Sequence, residues 1–126
     1  MEQKILIVDD EAHIRMLIEQ TLEELEDDGI EFLTADNGET ALQLIQAEKP
    51  NLVFLDVMMP KMNGMDVCSE VKKDPELKDV FIILLTAKGQ DFDRQKGQEV
   101  GADIYMTKPF DPEMILNTAK EVLGIG

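Results

Sequence analysis

Five short apolar runs, each followed by a segment of longer period, constrain this chain more than any other feature. They read KILIV (4–8), IEFLTA (30–35), NLVFL (51–55), VFIILL (80–85) and DIYMT (103–107). The first, third and fourth are almost continuously apolar, the pattern of strands buried on both faces of a sheet. Between the runs the apolar spacing becomes helical. Ile14, Ile18, Leu22 and Leu25 form one such stripe, and Gly29 is expected to end that helix. Ala41, Leu42 and Ile45 give a second helix one apolar face after the Asn37-Gly38 turn signal, and Pro50 stops it. A third helix is expected around Met65, Val67, Cys68 and Val71, closing before Pro75. A fourth, at about 90–100, is thin, with Phe92 and Val100 as its main apolar residues. The last, DPEMILNTAKEVL, offers Asp111 as N-cap and Pro112 at the first helical position. Five strand–helix repeats predict an α/β domain with a parallel sheet, and right-handed crossovers put helices on both of its faces.

At 126 residues and 44% hydrophobic the chain fits one domain spanning 1–126, with no linker or low-complexity stretch to divide it. The net charge of −15 argues against nucleic acid or an anionic membrane as a direct partner, because both repel an acidic surface. Cys68 is the only cysteine, so an intramolecular disulfide and a thiolate zinc site are both excluded. The only histidine, His13, is expected on the surface of a first helical turn. No apolar run approaches the length of a bilayer span, and MEQKILIVDD reaches acid too early for a signal peptide. The expected setting is cytoplasmic.

Several strands end in groups that a buried sheet has no use for. The first runs into Asp9, Asp10 and Glu11, the third into Asp56, the fourth into Thr86, and Lys108 lies just past the fifth. In an open parallel sheet all carboxyl ends share one rim, and ligands bind there at the crevice where the strand order reverses. If the first and third strands flank that crevice, Asp9, Asp10 and Asp56 converge. Carboxylates that close repel unless a cation lies among them. Oxygen donors without histidine or thiolate suit a hard ion, and Mg²⁺ fits best because it takes few protein ligands. Lys108 suits a phosphoryl oxygen, Thr86 can donate to another, and an aspartate beside a metal can attack phosphorus to form an acyl phosphate. Each residue also has a plainer reading: Asp9 or Asp10 as a helix cap, Thr86 as a loop hydroxyl, Lys108 as a solvated lysine.

Taken together, ILIVDDE, LVFLDVMMPKMNGMDV, IILLTA and GADIYMTKPF resemble the receiver domain of two-component response regulators over essentially the whole chain. The resemblance implies a flavodoxin-like (βα)5 three-layer sandwich with the strand order 2-1-3-4-5. It implies that Asp56 takes a phosphoryl group from a sensor histidine kinase or phosphotransfer protein, for relay to a downstream effector. Asp9, Asp10, Asp56 and the backbone carbonyl of Met58 would hold Mg²⁺. Thr86 and Lys108 would bind phosphoryl oxygens, and Tyr105 matches the family's switch aromatic. Met58 and Lys88 match positions that tune hydrolysis in the family.

Two expectations go further. His13, Leu17, Gln20 and Thr21 form a stripe beside Asp10 that is expected to dock the kinase, with Leu17 as core periphery the alternative. The output face is expected to comprise the 90–100 helix, the fifth strand and the last helix. That last helix has Lys120 but no arginine, which puts in doubt the arginine-based dimer of the winged-helix regulators. A stand-alone receiver is the simplest expectation.

The rival class is an aspartyl-phosphate hydrolase or phosphatase of the haloacid dehalogenase type. Such enzymes carry a second acid two residues after the first, where this chain has Met58. No GxGxxG or GxxxxGK[ST] occurs for nucleotide phosphates. A calcium loop fails because Met58 and Pro60 stand where oxygen side chains are needed.

Overall fold

The computed structural model describes residues 3–87, 99–108 and 111–125. Most of the helix expected near 90–100, including Phe92, lies outside the described residues, as do Lys88 and Pro109.

The strands β1 (Lys4–Val8), β2 (Glu31–Ala35), β3 (Leu52–Asp56), β4 (Phe81–Ala87) and β5 (Ile104–Lys108) form one parallel sheet in the order β2-β1-β3-β4-β5. This is the expected order, and it makes β1 and β3 neighbours, with Ile5 opposite Leu52 and Val8 opposite Leu55. The continuous apolar runs follow from burial on both faces. Leu6, Val8, Val53, Leu55, Ile82 and Leu84 pack on one side with α2 (Gly38–Glu48) and α3 (Gly64–Lys73). Ile5, Ile7, Leu52, Phe54, Ile83 and Leu85 pack on the other with α1 (Ala12–Thr21) and the last helix (Pro112–Leu123). Full burial of one such side chain contributes about 1.5–3 kcal/mol, so the central strands carry much of the stability.

Three strands run further than the apolar pattern indicates. Asp56 pairs in register with Leu85, Thr86 with Thr107, and Ala87 with Lys108. Asp56, Thr86 and Lys108 are therefore held inside the ladder rather than on loops beyond it.

The first helix is shorter than expected. α1 ends at Thr21, and a 3-10 helix over Glu23–Asp28 carries the chain to Gly29, whose φ of 82° closes it. The acids Glu23, Glu24, Glu26, Asp27 and Asp28 oppose the negative end of an α-helix that would run through them. The tighter 3-10 winding also brings residues three apart onto one line, so Leu22 and Leu25 are both fully buried.

The other boundaries follow their caps. The Asn37 side chain accepts from the Thr40 N–H and Asn63 accepts from Asp66, so the Asn-Gly pairs start α2 and α3. Asp111 accepts from the Glu113 N–H, with Pro112 following. Lys72, which the apolar pattern does not single out, donates to the carbonyls of Lys78 and Val80 and to Asp103 at 2.7–3.0 Å, tying the end of α3 to the start of β4.

Candidate functional site

The chain leaves β1 at Asp9, whose N–H donates to the Ala35 carbonyl at 3.2 Å. Its side chain is fully buried. Oδ1 accepts from the Glu11 N–H at 2.9 Å, and the backbone carbonyl accepts from Arg15 at 2.7 Å. The N-cap of α1 is Glu11, so neither Asp9 nor Asp10 serves as that cap. Asp10 is exposed. On the neighbouring strand Asp56 is 5% exposed. One carboxylate oxygen from each of Asp9, Asp10 and Asp56 lies within 4.8 Å of the others.

Lys108 reaches this group from β5, at the sheet's edge. Its Nζ donates to Asp9 Oδ2 at 2.7 Å and lies 3.3 Å from Asp56 Oδ1. Burial alone would lower its pKa, but the hydrogen bond to Asp9 and the charges of Asp56 and Asp9 outweigh that and hold it above its ordinary value. The carboxyl of Asp56 is pushed up to about 6, first by burial and then by the charge of Asp9, with Lys108 only partly offsetting both. Three carboxylates this close repel one another, and their oxygens form a group that could hold a hard dication.

Thr86 is 2% exposed at the end of β4. It shares strand parity with Ile82 and Leu84, and thus the sheet face against which Tyr105 packs. Tyr105 stands opposite Leu84 and Thr86 opposite Thr107, so the two are one diagonal step apart on that face. Met58 is 63% exposed. On α1, His13, Leu17 and Gln20 are exposed, whereas Thr21 is half-buried and its hydroxyl donates to the Leu17 carbonyl at 2.8 Å. Leu17 is 41% exposed, so it is not a core residue. Lys120 of the last helix lies 3.2 Å from Glu24 of the 3-10 segment, within the same chain.

Two glycines matter here that the apolar pattern did not flag. A Cβ on Gly64 would collide with the backbone carbonyl of Asp56, and one on Gly38 with the carbonyl of Met62. Their signal in the sequence is the repeated Asn-Gly pair, which reads equally well as an ordinary turn.

The comparisons agree with this geometry. The family model of the response regulator receiver domain matches residues 5–120. The alkaline phosphatase synthesis transcriptional regulatory protein PhoP of Bacillus subtilis is 44% identical over 124 residues, covering 98% of this chain and 49% of that protein. The phosphate regulon transcriptional regulatory protein PhoB of Pseudomonas aeruginosa is 44% identical over 119 residues, covering 94% of this chain and 51% of that protein. The chain thus spans about half the length of these curated relatives. The chemotaxis response regulator CheY4 of Vibrio cholerae superposes with a TM-score of 0.83 at 34% identity, covering 97% of this chain and 99% of that one. The hydrolase alternative finds no support among these matches. With its parallel sheet, its acids at the β1 and β3 ends and its lysine on β5, this chain belongs to the receiver domain family of two-component response regulators.

Proposed function

We propose that Asp56 is the phosphoacceptor and that the chain relays a signal from a sensor histidine kinase, or a phosphotransfer protein, to a downstream effector. The observation that carries this is the ammonium of Lys108, within 3.3 Å of both Asp9 and Asp56 at the mouth of a buried acidic group. The donor set fits Mg²⁺: three carboxylates, with no histidine or thiolate grouped with them among the described residues; the backbone carbonyl of Met58 is the fourth protein ligand in this reading. Bound there, the ion supplies positive charge that offsets the carboxylates and the phosphoryl oxygens.

An Asp56 oxygen attacks phosphorus as the P–N bond of the donor phosphohistidine breaks. The imidazole leaves with the bonding pair and takes up a proton. Lys108 turns from Asp56 to a phosphoryl oxygen, and the Thr86 hydroxyl donates to another. The new group adds about −1.5 to −2 charges at one point. Thr86 moves toward it, and Tyr105, on the same sheet face, follows inward. The output surface is β5 with the last helix and the segment near 90–100. Water later cleaves the acyl phosphate, releasing inorganic phosphate and restoring the carboxylate.

The stripe His13, Leu17, Gln20 and Thr21 docks the kinase. The domain works in the cytoplasm, and its −15 charge keeps it off nucleic acid. In the test, the protein is incubated with a small phosphodonor and Mg²⁺ and the added mass is located. A phosphoryl mass on Asp56, absent from Asp56→Asn and Asp56→Ala, supports the reading; the same mass on another residue overturns it.

A further inference from the structure

The loop from Val57 to Asn63 leaves the acidic site and returns to α3. Its Met62 N–H donates to the Pro60 carbonyl at 2.8 Å, two residues back, and Lys61 between them has a φ of 68°. A three-residue turn with positive φ is a strained form that glycine would normally occupy. One end of the loop is held where the Gly64 N–H donates to the Val57 carbonyl at 2.9 Å and Gly64 lies bare against Asp56. Close to that closure, at Met62, the loop abuts α2. A Cβ on Gly38 would fall on the carbonyl oxygen of Met62, 2.6 Å from its carbon and 2.9 Å from its Cβ. Since most of that obstacle is backbone, no side chain can swing away to relieve it.

The residue before Gly38 is locked as well. Asn37 is 7% exposed. Its Oδ1 accepts from the Thr40 N–H at 2.9 Å, and its Nδ2 donates to Asp36 at 2.7 Å and to the Thr40 hydroxyl at 3.1 Å. The first turn of α2 is therefore a rigid wall against which the strained turn rests.

We infer that Gly38 is a positioning residue: its missing side chain seats α2 against Met62 and so sets where the loop, with Met58, stands relative to Asp56. The consequence for metal affinity rests on the Mg²⁺ reading proposed above; the clamp on the loop does not. On helix propensity alone Gly38→Ala would stabilise the protein. The contact predicts the opposite at the loop.

The test compares Gly38→Ala with Gly29→Ala. Gly29 has a φ of 82° and nothing within 4 Å of an added Cβ, at the rim away from the acids. Its substitution therefore strains the fold without touching the loop. Two quantities are read: hydrogen exchange of the Met62 and Gly64 amides in metal-free protein, and the dissociation constant for MgCl2 by calorimetry. Gly38→Ala is expected to lose protection at both amides and to bind Mg²⁺ about tenfold or more weakly, the cost usual for residues that orient metal ligands. Gly29→Ala is expected to keep both at parent values. Should Gly38→Ala not fold, Asn37→Ala frees the same helical turn without a clash and is expected to move both readouts in the same direction. Unchanged amide protection in the folded variant, or equal loss in Gly29→Ala, overturns the inference. A parent protein that binds no Mg²⁺ sinks the metal reading instead, and the exchange data still decide the clamp.

Discussion

Lys108 Nζ donates to Asp9 Oδ2 at 2.7 Å across 99 residues of sequence. The pair joins β5, at one edge of the sheet, to the end of β1 across the two strands between them. Replacing Lys108 by Met removes the ammonium that Asp9 and Asp56 share and leaves both carboxylates buried side by side. Lys108 is partly exposed, so we expect a loss of about 1–3 kcal/mol, below the figure for a fully buried pair. Urea unfolding without Mg²⁺ at pH 8 measures it. The loss should shrink in an Asp56→Asn background, where less negative charge is left uncompensated; strict additivity would contradict the coupling.

The raised carboxyl of Asp56 sets a pH dependence in metal-free protein. Its ordinary pKa is 3.8 and the fold moves it to about 6. Between those values the folded chain holds more protons than the unfolded one, so Asp56 makes stability fall as pH rises. The contribution is complete below pH 3.8 and gone above about 6, an amplitude of about 3 kcal/mol. Chemical denaturation from pH 4 to 7 should show Asp56→Asn lacking this decline and gaining stability over the parent at neutral pH. A variant that tracks the parent across the range would refute the assignment.

On α1, exchanging His13, Leu17 and Gln20 for other exposed residues should alter the rate of phosphotransfer from a kinase by about tenfold or more. Labelling by a small phosphodonor should not change, because none of these side chains is among the acids or lysine of the site. Measuring both rates on one preparation separates docking from chemistry. Loss of both together would mean that the stripe supports the fold instead.

Phe54 is among the largest fully buried side chains and lies in β3, two residues before Asp56. Its replacement by Ala should cost about 3–5 kcal/mol, combining lost burial with a cavity. The midpoint of thermal unfolding reads it, and a change under 1 kcal/mol would mean that the core collapses around the gap far more readily than close packing allows.

Much of this protein was written locally in its residues. Continuous apolar runs mark doubly buried strands because a strand between two helical layers has no wet face, and Asp111 marks a helix start because its side chain caps a free N–H group. The same local patterns set acids after β1 and at the end of β3. They did not reveal the break after Thr21, where helical spacing was right but the acidic run favoured a tighter winding. Nor did they assign Asn37-Gly38 and Asn63-Gly64 their contacts with Met62 and Asp56, which are invisible until distant backbones touch. Only the tertiary structure decided that Lys108 meets Asp9 and Asp56, because that meeting depends on strand order. Strand order is a property of all the pairings at once, whereas periodicity reports only which side of each segment avoids water.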